Sequence, residues 1–380
     1  MTKNLVVEGW RRSSHSYALV NQHQLLHLAK DGRFALSHLD IPFMKPEWAH
    51  VDAGLPAEAR QLIDSLPPPA AVADVIYRIS WPLRVYGVAD ARVFVFGTSE
   101  TQSLRPDACR GRSGTNADFD RHAVEIITPS NWSRIGFLAS GFDEQRVHVI
   151  PHGVDPTLFW HPTADEKRQL RAELQIPEDA HVFLNVGSMT LNKGIGLLLA
   201  AFAVHLQRNP RAILLLKGAE QLYGNVLAHS ISEAARLVPG GILAAIQPAI
   251  RYSGRNLTLA NLAKLYRASD AYVSPYRGEG FNLPVLEALA SGLLPIVTAG
   301  GSTDDFCPDT LSLKVAATLV PFKDGGWILE PNLESLISCL QRSVEDEALR
   351  RTVATEAPRW VGERLTWAHV SRALADRLAS

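Results

Sequence analysis

Strand-like apolar runs alternate with helical patterns along most of the chain, and this alternation constrains the fold more than any other feature. It is the pattern expected of parallel sheets whose strands are joined by crossover helices. In the first half, the predicted strands cover residues 4–9, 33–39, 72–79, 92–97, 124–129 and 146–151. In the second half, the pattern starts again with residues 181–187, 212–218, 249–254, 270–275 and 294–301. The sequence therefore predicts an α/β protein with two doubly wound, Rossmann-like domains.

A boundary between these domains is predicted within residues 152–180, where prolines and charges interrupt the apolar periodicity. The chain of 380 residues is also longer than one ordinary core. We expect a first domain of residues 1–160 and a second of residues 161–362, facing each other across a cleft. Ligands of open α/β sheets bind at the carboxyl ends of the strands, so the cleft is the predicted site.

The composition narrows the class of protein. Hydrophobic residues make up 46% and charged residues 20%, as in soluble globular proteins, and the net charge of −1 offers no basic excess for nucleic acid. The 3 cysteines form no C-x-x-C pair, which argues against a zinc site or disulfides and favours a reducing cytoplasm. No apolar run reaches the ~18 residues that span a bilayer, which leaves a peripheral membrane contact open. The 13 histidines include no metal-binding motif.

The segment 276–292, "YRGEGFNLPVLEALASG", carries two glutamates after a predicted strand. A helix is predicted to begin near Asn282 or Pro284, and its first backbone N–H groups suit a phosphate. Glu287, about one turn into that helix, is placed to accept two hydrogen bonds from a diol such as a ribose. Glu279, in the loop, would reach hydroxyls beyond the phosphate. The spacing alone leaves an alternative open, in which Glu279 caps the helix and Glu287 is an exposed polar position.

A second strand, loop and helix are predicted in "NVGSMTLNKGIGLLLAAF", residues 185–202. Lys193 and Gly194 lie at the start of its helix, where an ammonium group can meet a diphosphate and a glycine lets the backbone approach closely. A lone loop lysine is usually solvated. Lys193 is a candidate because it follows a predicted strand in the same domain as residues 276–292.

The amino-terminal residues 9–22 predict a strand, a serine-rich turn and a helix. Ser13, Ser14 and His15 are candidate contacts for a phosphate or a sugar at this turn. Each of these residue types is more often an ordinary surface residue.

Four ordered segments resemble retaining glycosyltransferases of family 4, which have the GT-B fold. They read "TPS…VIPHGVDPTLFWHP", "NVGSMTLNKG", "SPYRGEGFNLPVLEALASGLLPIV" and "GGSTDD". The family's wording is approximately PS…VIP-G-VD-x-x-x-F-x-P, VGR-L-x-x-x-KG, PS-x-x-EGFGLPxLEAMA-x-G-x-P-V and GG-x-x-E. The resemblance covers about residues 120–378, and the earlier residues only in outline. The end of the chain also looks like the family's terminal helix, so residues 363–380 are expected to pack back on the first domain.

The resemblance implies a nucleotide-diphosphate sugar, UDP- or GDP-linked, as donor on the second domain and a hydroxyl acceptor mainly on the first. Glu287 matches the family's ribose-binding glutamate, Glu279 the glutamate beside the donor sugar, and Lys193 the diphosphate-binding lysine. Backbone N–H groups for sugar and phosphate would come from Gly280, Phe281, Asn282 and Leu283. The family transfers sugars with retention at the anomeric carbon, needs no cofactor and usually needs no metal.

Departures from the family pattern point to further candidates. Ser188 stands where the family has an arginine, and Arg277 or Arg255 is the predicted substitute for its charge. The segment "GTSE", ending at Glu100, replaces a family histidine and makes Glu100 an acceptor-side candidate. In the GG-x-x-E motif the acid is Asp304.

The sequence thus predicts a cytoplasmic, metal-independent, retaining glycosyltransferase that acts on a glycan or lipid-linked saccharide, as in polysaccharide biosynthesis. Its partners would be a nucleotide sugar and a hydroxyl acceptor, without nucleic acid. Two alternatives stay open: another GT-B enzyme, such as a nucleotide-sugar epimerase or a phosphorylase, and a non-catalytic sugar-nucleotide-binding protein.

Overall fold

The computed structural model describes residues 2–48, 50–51, 55–70, 72–115 and 117–380. The chain divides into two compact units. Unit 1 comprises Met1–Gly153, Pro321–Trp327 and Leu365–Ser380, and unit 2 comprises Val154–Val320 and Ile328–Arg364. The domain limits expected from the sequence, 160/161 and 362/363, stay predictions.

Unit 1 is built on a six-stranded parallel sheet. Its first part contains β1 (Lys3–Gly9), β2 (Phe34–Asp40), β3 (Val75–Ile79), β4 (Leu83–Arg84), β5 (Arg92–Phe96), β6 (Cys109–Arg110), β7 (Glu125–Thr128) and β8 (Val147–Val149). Its helices there are α1 (Ser16–Leu28), α2 (Ala57–Asp64) and α3 (Asn131–Ala139). The order in the sheet is β2-β1-β3-β5-β7-β8, and β4 pairs with β6 separately. All five residues of β3 are buried, as expected of a strand covered on both faces.

Unit 2 repeats this plan. The strands are β9 (Val182–Val186), β10 (Ile213–Lys217), β11 (Ile250–Ser253), β12 (Ala271–Ser274), β13 (Leu294–Thr298), β14 (Leu313–Val315), β15 (Ala317–Pro321) and β16 (Trp327–Pro331). The helices are α4 (Ala164–Glu173), α5 (Ile195–Arg208), α6 (Glu220–Tyr223), α7 (Leu227–Leu237), α8 (Gly240–Ala244), α9 (Leu259–Ala268), α10 (Leu283–Ala290), α11 (Leu333–Glu345) and α12 (Glu347–Arg364). The parallel sheet has the order β11-β10-β9-β12-β13-β14, and β15 pairs with β16.

The order of strands in each sheet brings two loops together, those that follow β9 and β12 in unit 2 and those that follow β1 and β3 in unit 1. In unit 2 the chain runs outward from β9 to β10 and β11 and then returns to β12 on the other side of β9. In unit 1 the first strand, β1, likewise lies between β2 and β3. Such a switch point separates the helices that follow neighbouring strands and is where open α/β sheets bind ligands.

The last helix, α13 (Trp367–Ala379), belongs to unit 1 although unit 2 precedes it in the chain. The ring of Trp367 stacks on that of His23 in α1, with centroids 4.6 Å apart and planes at 2°. Arg377 forms a 2.6 Å salt bridge with Glu125. These contacts confirm that the terminal helix returns to the first Rossmann-like domain.

The helices differ in their burial. Most of α5 is buried, whereas α12, the longest of the helices given above, has few buried residues and contains Pro358. Across the described ranges, no helix combines the length and the apolar character needed to cross a membrane.

Candidate functional site

A sharp turn leads from β12 into α10. Asn282, directly before the helix, has φ 80° and ψ 64°, in the left-handed region that asparagine tolerates better than most residues. Its side-chain amide donates a 3.0 Å hydrogen bond to Ser274 Oγ, which fixes the turn. A proline lies in the first turn, where its missing N–H costs nothing. The helix therefore begins next to Asn282, as the sequence predicted.

Glu287 lies inside α10 and is only 6% exposed. Its Oε2 accepts a 2.6 Å hydrogen bond from the hydroxyl of Tyr266 in α9. Burial raises the pKa of Glu287 to about 7, against the opposing effect of the Tyr266 hydrogen bond. The alternative that Glu287 is an exposed polar position is wrong. A carboxylate has about four acceptor sites, so this one retains capacity beyond the Tyr266 bond.

Lys193 and Glu279 join the loops that follow β9 and β12. The Lys193 ammonium forms a salt bridge with Glu279 Oε1, and the two side chains are 21% and 7% exposed. The backbones meet as well, since Arg277 N donates to Asn192 O at 2.7 Å and Asn192 Nδ2 donates to Gly278 O at 3.2 Å. The switch point of the unit 2 sheet thus carries a buried carboxylate bound to a half-buried cation.

Gly194 makes this junction possible. Its φ is +67°, and a Cβ atom there would lie 1.9 Å from the carbonyl oxygen of Pro275. Only glycine satisfies both the conformation and the space. The start of α5 and the end of β12 are therefore in close backbone contact at Gly194, and its approach to a diphosphate stays a prediction.

The residues predicted to offer backbone N–H groups surround the start of α10. Gly280, Phe281, Asn282 and Leu283 are all buried. The Phe281 ring stacks on Phe306, with centroids 4.4 Å apart, and Ser302 Oγ donates to the Phe281 carbonyl at 3.3 Å. Phe306 and Ser302 thus hold this loop in place, and its binding of a sugar or phosphate stays a prediction.

Arg277 has a different environment from the one expected of a donor-binding cation. Its side chain is 8% exposed, and its guanidinium donates to Glu233 at 2.7 Å, Glu330 at 3.0 Å and the Leu191 carbonyl at 3.0 Å. Two carboxylates therefore balance its charge. Its contacts also hold the turn before Lys193, and its role as the substitute for the charge missing at Ser188 stays a prediction.

The other departures from the family pattern have local partners. Ser188 Oγ lies 2.8 Å from Thr190 Oγ1 in the loop after β9. Asp304 accepts from Gly300 N at 2.7 Å and forms a 2.6 Å salt bridge with Lys314. Arg255 is exposed and follows β11. Arg255 as a substitute for the charge missing at Ser188 stays a prediction.

In unit 1, the predicted serine-rich turn caps α1. Ser13 is buried and its Oγ accepts from His15 N at 3.2 Å, while His15 Nδ1 accepts from Tyr17 N at 3.2 Å. Burial lowers the pKa of His15 to about 4, so its imidazole is neutral at physiological pH. Ser14 and Glu100 are exposed, after β1 and β5 respectively. Their acceptor-side role stays a prediction.

Two buried groups at the unit 2 site were missed by sequence reasoning. Tyr266 supports Glu287, and its signal was a tyrosine in the segment that precedes the predicted strand 270–275. Lys217 ends β10 and is 8% exposed, and its signal was a lysine closing the apolar run "AILLLKG". Within the residues that the structure covers, no group of three or more His, Cys, Asp or Glu side chains is arranged to hold a metal ion.

A family model described as "Glycosyl transferases group 1" matches residues 166–360, just over half of the chain and most of unit 2. The chain belongs to this family. The matched region contains Lys193, Glu279 and Glu287, so the site lies in the part of the chain that defines membership of the glycosyl transferases.

Curated relatives of this group 1 chain match it over part of their length. Mannosylfructose-phosphate synthase of Agrobacterium fabrum is 29% identical over 164 residues, 42% of this chain and 34% of the relative. D-inositol 3-phosphate glycosyltransferase of Segniliparus rotundus is 30% identical over 197 residues, 47% of this chain and 40% of the relative. The chain therefore spans well under two thirds of these relatives.

Solved structures similar to this group 1 chain cover it almost completely. A glycosyltransferase from Rickettsia africae has a TM-score of 0.70 at 14% identity and covers 99% of this chain and 98% of its own. Anabaena HepE in complex with UDP and glucose has a TM-score of 0.69 at 14% identity and covers 100% of both chains. At such identities the likeness concerns the fold alone, and it confirms the predicted GT-B class.

Proposed function

We propose that the protein is a retaining, metal-independent glycosyltransferase of family 4. It would move a sugar from a UDP- or GDP-sugar to a hydroxyl of a glycan or lipid-linked saccharide. The observation that supports this most is the meeting of Lys193 with Glu279 at the switch point of unit 2, beside the buried Glu287 of α10. Residues 161–362 would be the donor-binding domain and residues 1–160 the acceptor side.

Lys193 and the start of α10 would bind the diphosphate of the donor. An ammonium group has three donors, so Lys193 can keep its bond to Glu279 and still donate to a phosphate oxygen. Backbone N–H groups at a helix start attract the same anion. These groups would stabilise the negative charge that develops on the diphosphate as it leaves.

Glu287 would bind the ribose of the nucleotide. Its carboxylate can accept two hydrogen bonds from the vicinal hydroxyls while Tyr266 holds Oε2. Hydrogen bonds to the charged form favour ionisation, so nucleotide binding would lower the pKa of Glu287 from about 7. Affinity is therefore expected to rise with pH across neutrality.

The transfer itself would need no protein nucleophile. The bond between the anomeric carbon and the diphosphate oxygen breaks while the acceptor oxygen bonds to that carbon from the same face. The leaving diphosphate takes the acceptor's proton, which balances the step. Glu279 would position the donor sugar through its hydroxyls, and the protein's main contribution would be to hold both substrates together.

The comparisons favour a uridine nucleotide and a sugar or polyol acceptor. Anabaena HepE is described in complex with UDP-glucose, and two relatives are named for synthesis of a sugar phosphate and for transfer to D-inositol 3-phosphate. A cytoplasmic location, with or without a peripheral membrane contact, belongs to the same proposal.

Product analysis by NMR tests this function. The protein is incubated with UDP-, GDP- and ADP-sugars alone, with inorganic phosphate, and with a panel of hydroxyl acceptors. We expect release of nucleoside diphosphate that depends on an acceptor and survives EDTA, and a product with the donor's anomeric configuration. An isomerised donor would indicate an epimerase, a sugar phosphate a phosphorylase, and binding without turnover a non-catalytic protein. Any of these results would overturn the proposal.

A further inference from the structure

Lys217 is a buried lysine whose charge is not balanced by a salt bridge. It is the last residue of β10, and only 8% of it is exposed. Its ammonium donates to the carbonyl of the next residue, Gly218. Among the residues that the structure describes, no carboxylate forms a salt bridge with it. The charge of Glu220 acts on the pKa of Lys217 without a salt bridge between them, and Glu220 accepts a 2.8 Å hydrogen bond from Tyr252.

The backbone places Lys217 beside the loop that carries Lys193. Gly187 N donates to Lys217 O at 3.0 Å, and Gly218 N donates to Ser253 O at 2.8 Å. Lys217 therefore lies between the ends of β9 and β11, at the carboxyl edge of the sheet. Carbons of the Lys193 side chain lie 3.8–3.9 Å from the position that a Cβ of Gly187 would take. The backbone of Lys217 and the side chain of Lys193 thus flank the same glycine.

A buried ammonium is costly unless an anion balances it. The four residues before Lys217 in β10 are apolar, and an apolar residue at this position would avoid the desolvation of a charge. Burial lowers the pKa of Lys217, while the charge of Glu220 opposes that effect. A lysine at this position is readily explained if an anionic ligand shares the site.

The ligand that the surroundings favour is a diphosphate. Ser188 carries no charge, and the guanidinium of Arg277 is committed to Glu233 and Glu330. We propose that Lys217 is a second diphosphate-binding cation, which supplies with Lys193 the positive charge that Ser188 lacks. One donor of its ammonium remains on Gly218 O, and two are available for phosphate oxygens. This inference rests on the proposed function, because it needs a nucleoside diphosphate at this edge of the sheet.

Isothermal titration of the full chain with UDP, GDP and ADP tests the inference. The variants are Lys217→Met, which keeps the length without the charge, and Lys217→Gln, which also keeps a donor for Gly218 O. Lys264→Met is the matched control, since Lys264 is 41% exposed and pairs with Glu173. We expect both Lys217 variants to bind the preferred diphosphate about tenfold more weakly, as for loss of one charge-assisted hydrogen bond, and the control to bind normally.

Two further readouts separate binding from structure. Lys217→Met is expected to melt at the same temperature as the wild type or higher, because a buried charge is removed. The affinity for uridine, guanosine or adenosine, which lack phosphate, is expected to be unchanged in both variants. An equal loss for the nucleoside and the diphosphate would contradict a phosphate contact.

The outcomes distinguish the inference from the proposed function. If the wild type binds a diphosphate and both Lys217 variants bind it equally well, the inference is overturned and the proposed function stands. If the wild type binds none of the three diphosphates, the proposed function is overturned and the inference with it.

Discussion

The loops after β1 and β9 occupy the same place in their two sheets but differ in what surrounds them. In unit 1, a Cβ on Gly9 would lie 2.6 Å from Ile79 and 2.8 Å from Asn21, so the space above β1 is filled by protein. In unit 2, the nearest atoms to a Cβ on Gly187 are carbons of Lys193 at 3.8–3.9 Å. A side-chain carbon is thus excluded at Gly9 and accommodated at Gly187.

The charged side chains near these loops also differ between unit 1 and unit 2. After β1, Arg11 pairs with Asp40 at 2.5 Å and Arg12 with Asp64 at 2.7 Å. Burial would raise the pKa of the Asp40 carboxyl, but the contacts with Arg11 outweigh this effect and lower it. The ionised form of Asp40 is therefore favoured. In unit 2, Lys193 pairs with Glu279, whereas burial raises the pKa of Glu287 to about 7 and Lys217 has no salt bridge among the described residues. Charges held without such compensation indicate where a ligand supplies it.

The largest expected effect is on stability, from alanine at the two glycines. Gly9→Ala should lower the free energy of unfolding by about 3 kcal/mol, because the methyl group overlaps Ile79 and Asn21. Gly187→Ala should cost less than about 1 kcal/mol, since its Cβ meets only ordinary contacts. Denaturant unfolding of both variants measures this, and equal losses would contradict the difference between the two strand ends.

Glu287→Gln should stabilise the protein at high pH. The folded pKa of about 7 lies above the ordinary value of 4.5, so the wild type loses stability as pH rises between these values. The variant should be more stable than the wild type by about 2–3 kcal/mol near pH 8 and gain nothing near pH 4. Thermal and denaturant unfolding at both pH values check this. Asp40→Asn, in unit 1, is the contrasting control and should not gain stability at high pH.

Lys193→Met should weaken binding of the preferred nucleoside diphosphate by about 2 kcal/mol, or roughly thirtyfold, through loss of a charge-assisted contact. Arg12→Met removes a cation at the corresponding loop of unit 1 and should leave this affinity unchanged, because Arg12 pairs with Asp64. Equilibrium binding by fluorescence or filtration gives both values. A comparable loss in the Arg12 variant would remove the functional distinction between the loops.

The smallest effect is expected from Tyr266→Phe, about 1 kcal/mol of nucleotide affinity at neutral pH. The Tyr266 hydrogen bond lowers the pKa of Glu287, so its loss should move the rise of affinity with pH to higher pH. Tyr86→Phe, in unit 1, should leave the pH profile in place. A uniform loss of affinity at every pH would show that Tyr266 acts only through packing.

Much of the fold could be predicted because its signals are local. The apolar runs at residues 4–9 and 270–275 became β1 and β12 within one residue at each end. The strands β15 and β16 were missed, since β15 has no buried residue, β16 is only partly buried, and neither carries a long apolar run. Periodicity identifies strands that are buried on both faces and gives little signal for short, solvated pairs.

At the site, local sequence patterns likewise do not reveal how charged side chains are paired. The positions of Gly194 and Glu287 follow from the motifs that contain them. The partners of Arg277 lie 44 and 53 residues away in the chain, at Glu233 and Glu330, and no local pattern indicated them. The importance of Lys217 likewise depends on its burial between neighbouring strands, which the sequence of β10 alone does not reveal.

Isothermal titration of UDP, GDP and ADP against the wild type, Lys193→Ala and Glu287→Ala tests the central claim most directly. The account predicts that at least one of these nucleotides binds the wild type with one-to-one stoichiometry. It also predicts that both variants, while folded, bind that nucleotide much more weakly. Absence of binding to the wild type, or affinity that survives both substitutions, would contradict the claim that the strand ends of unit 2 form a nucleotide-sugar site.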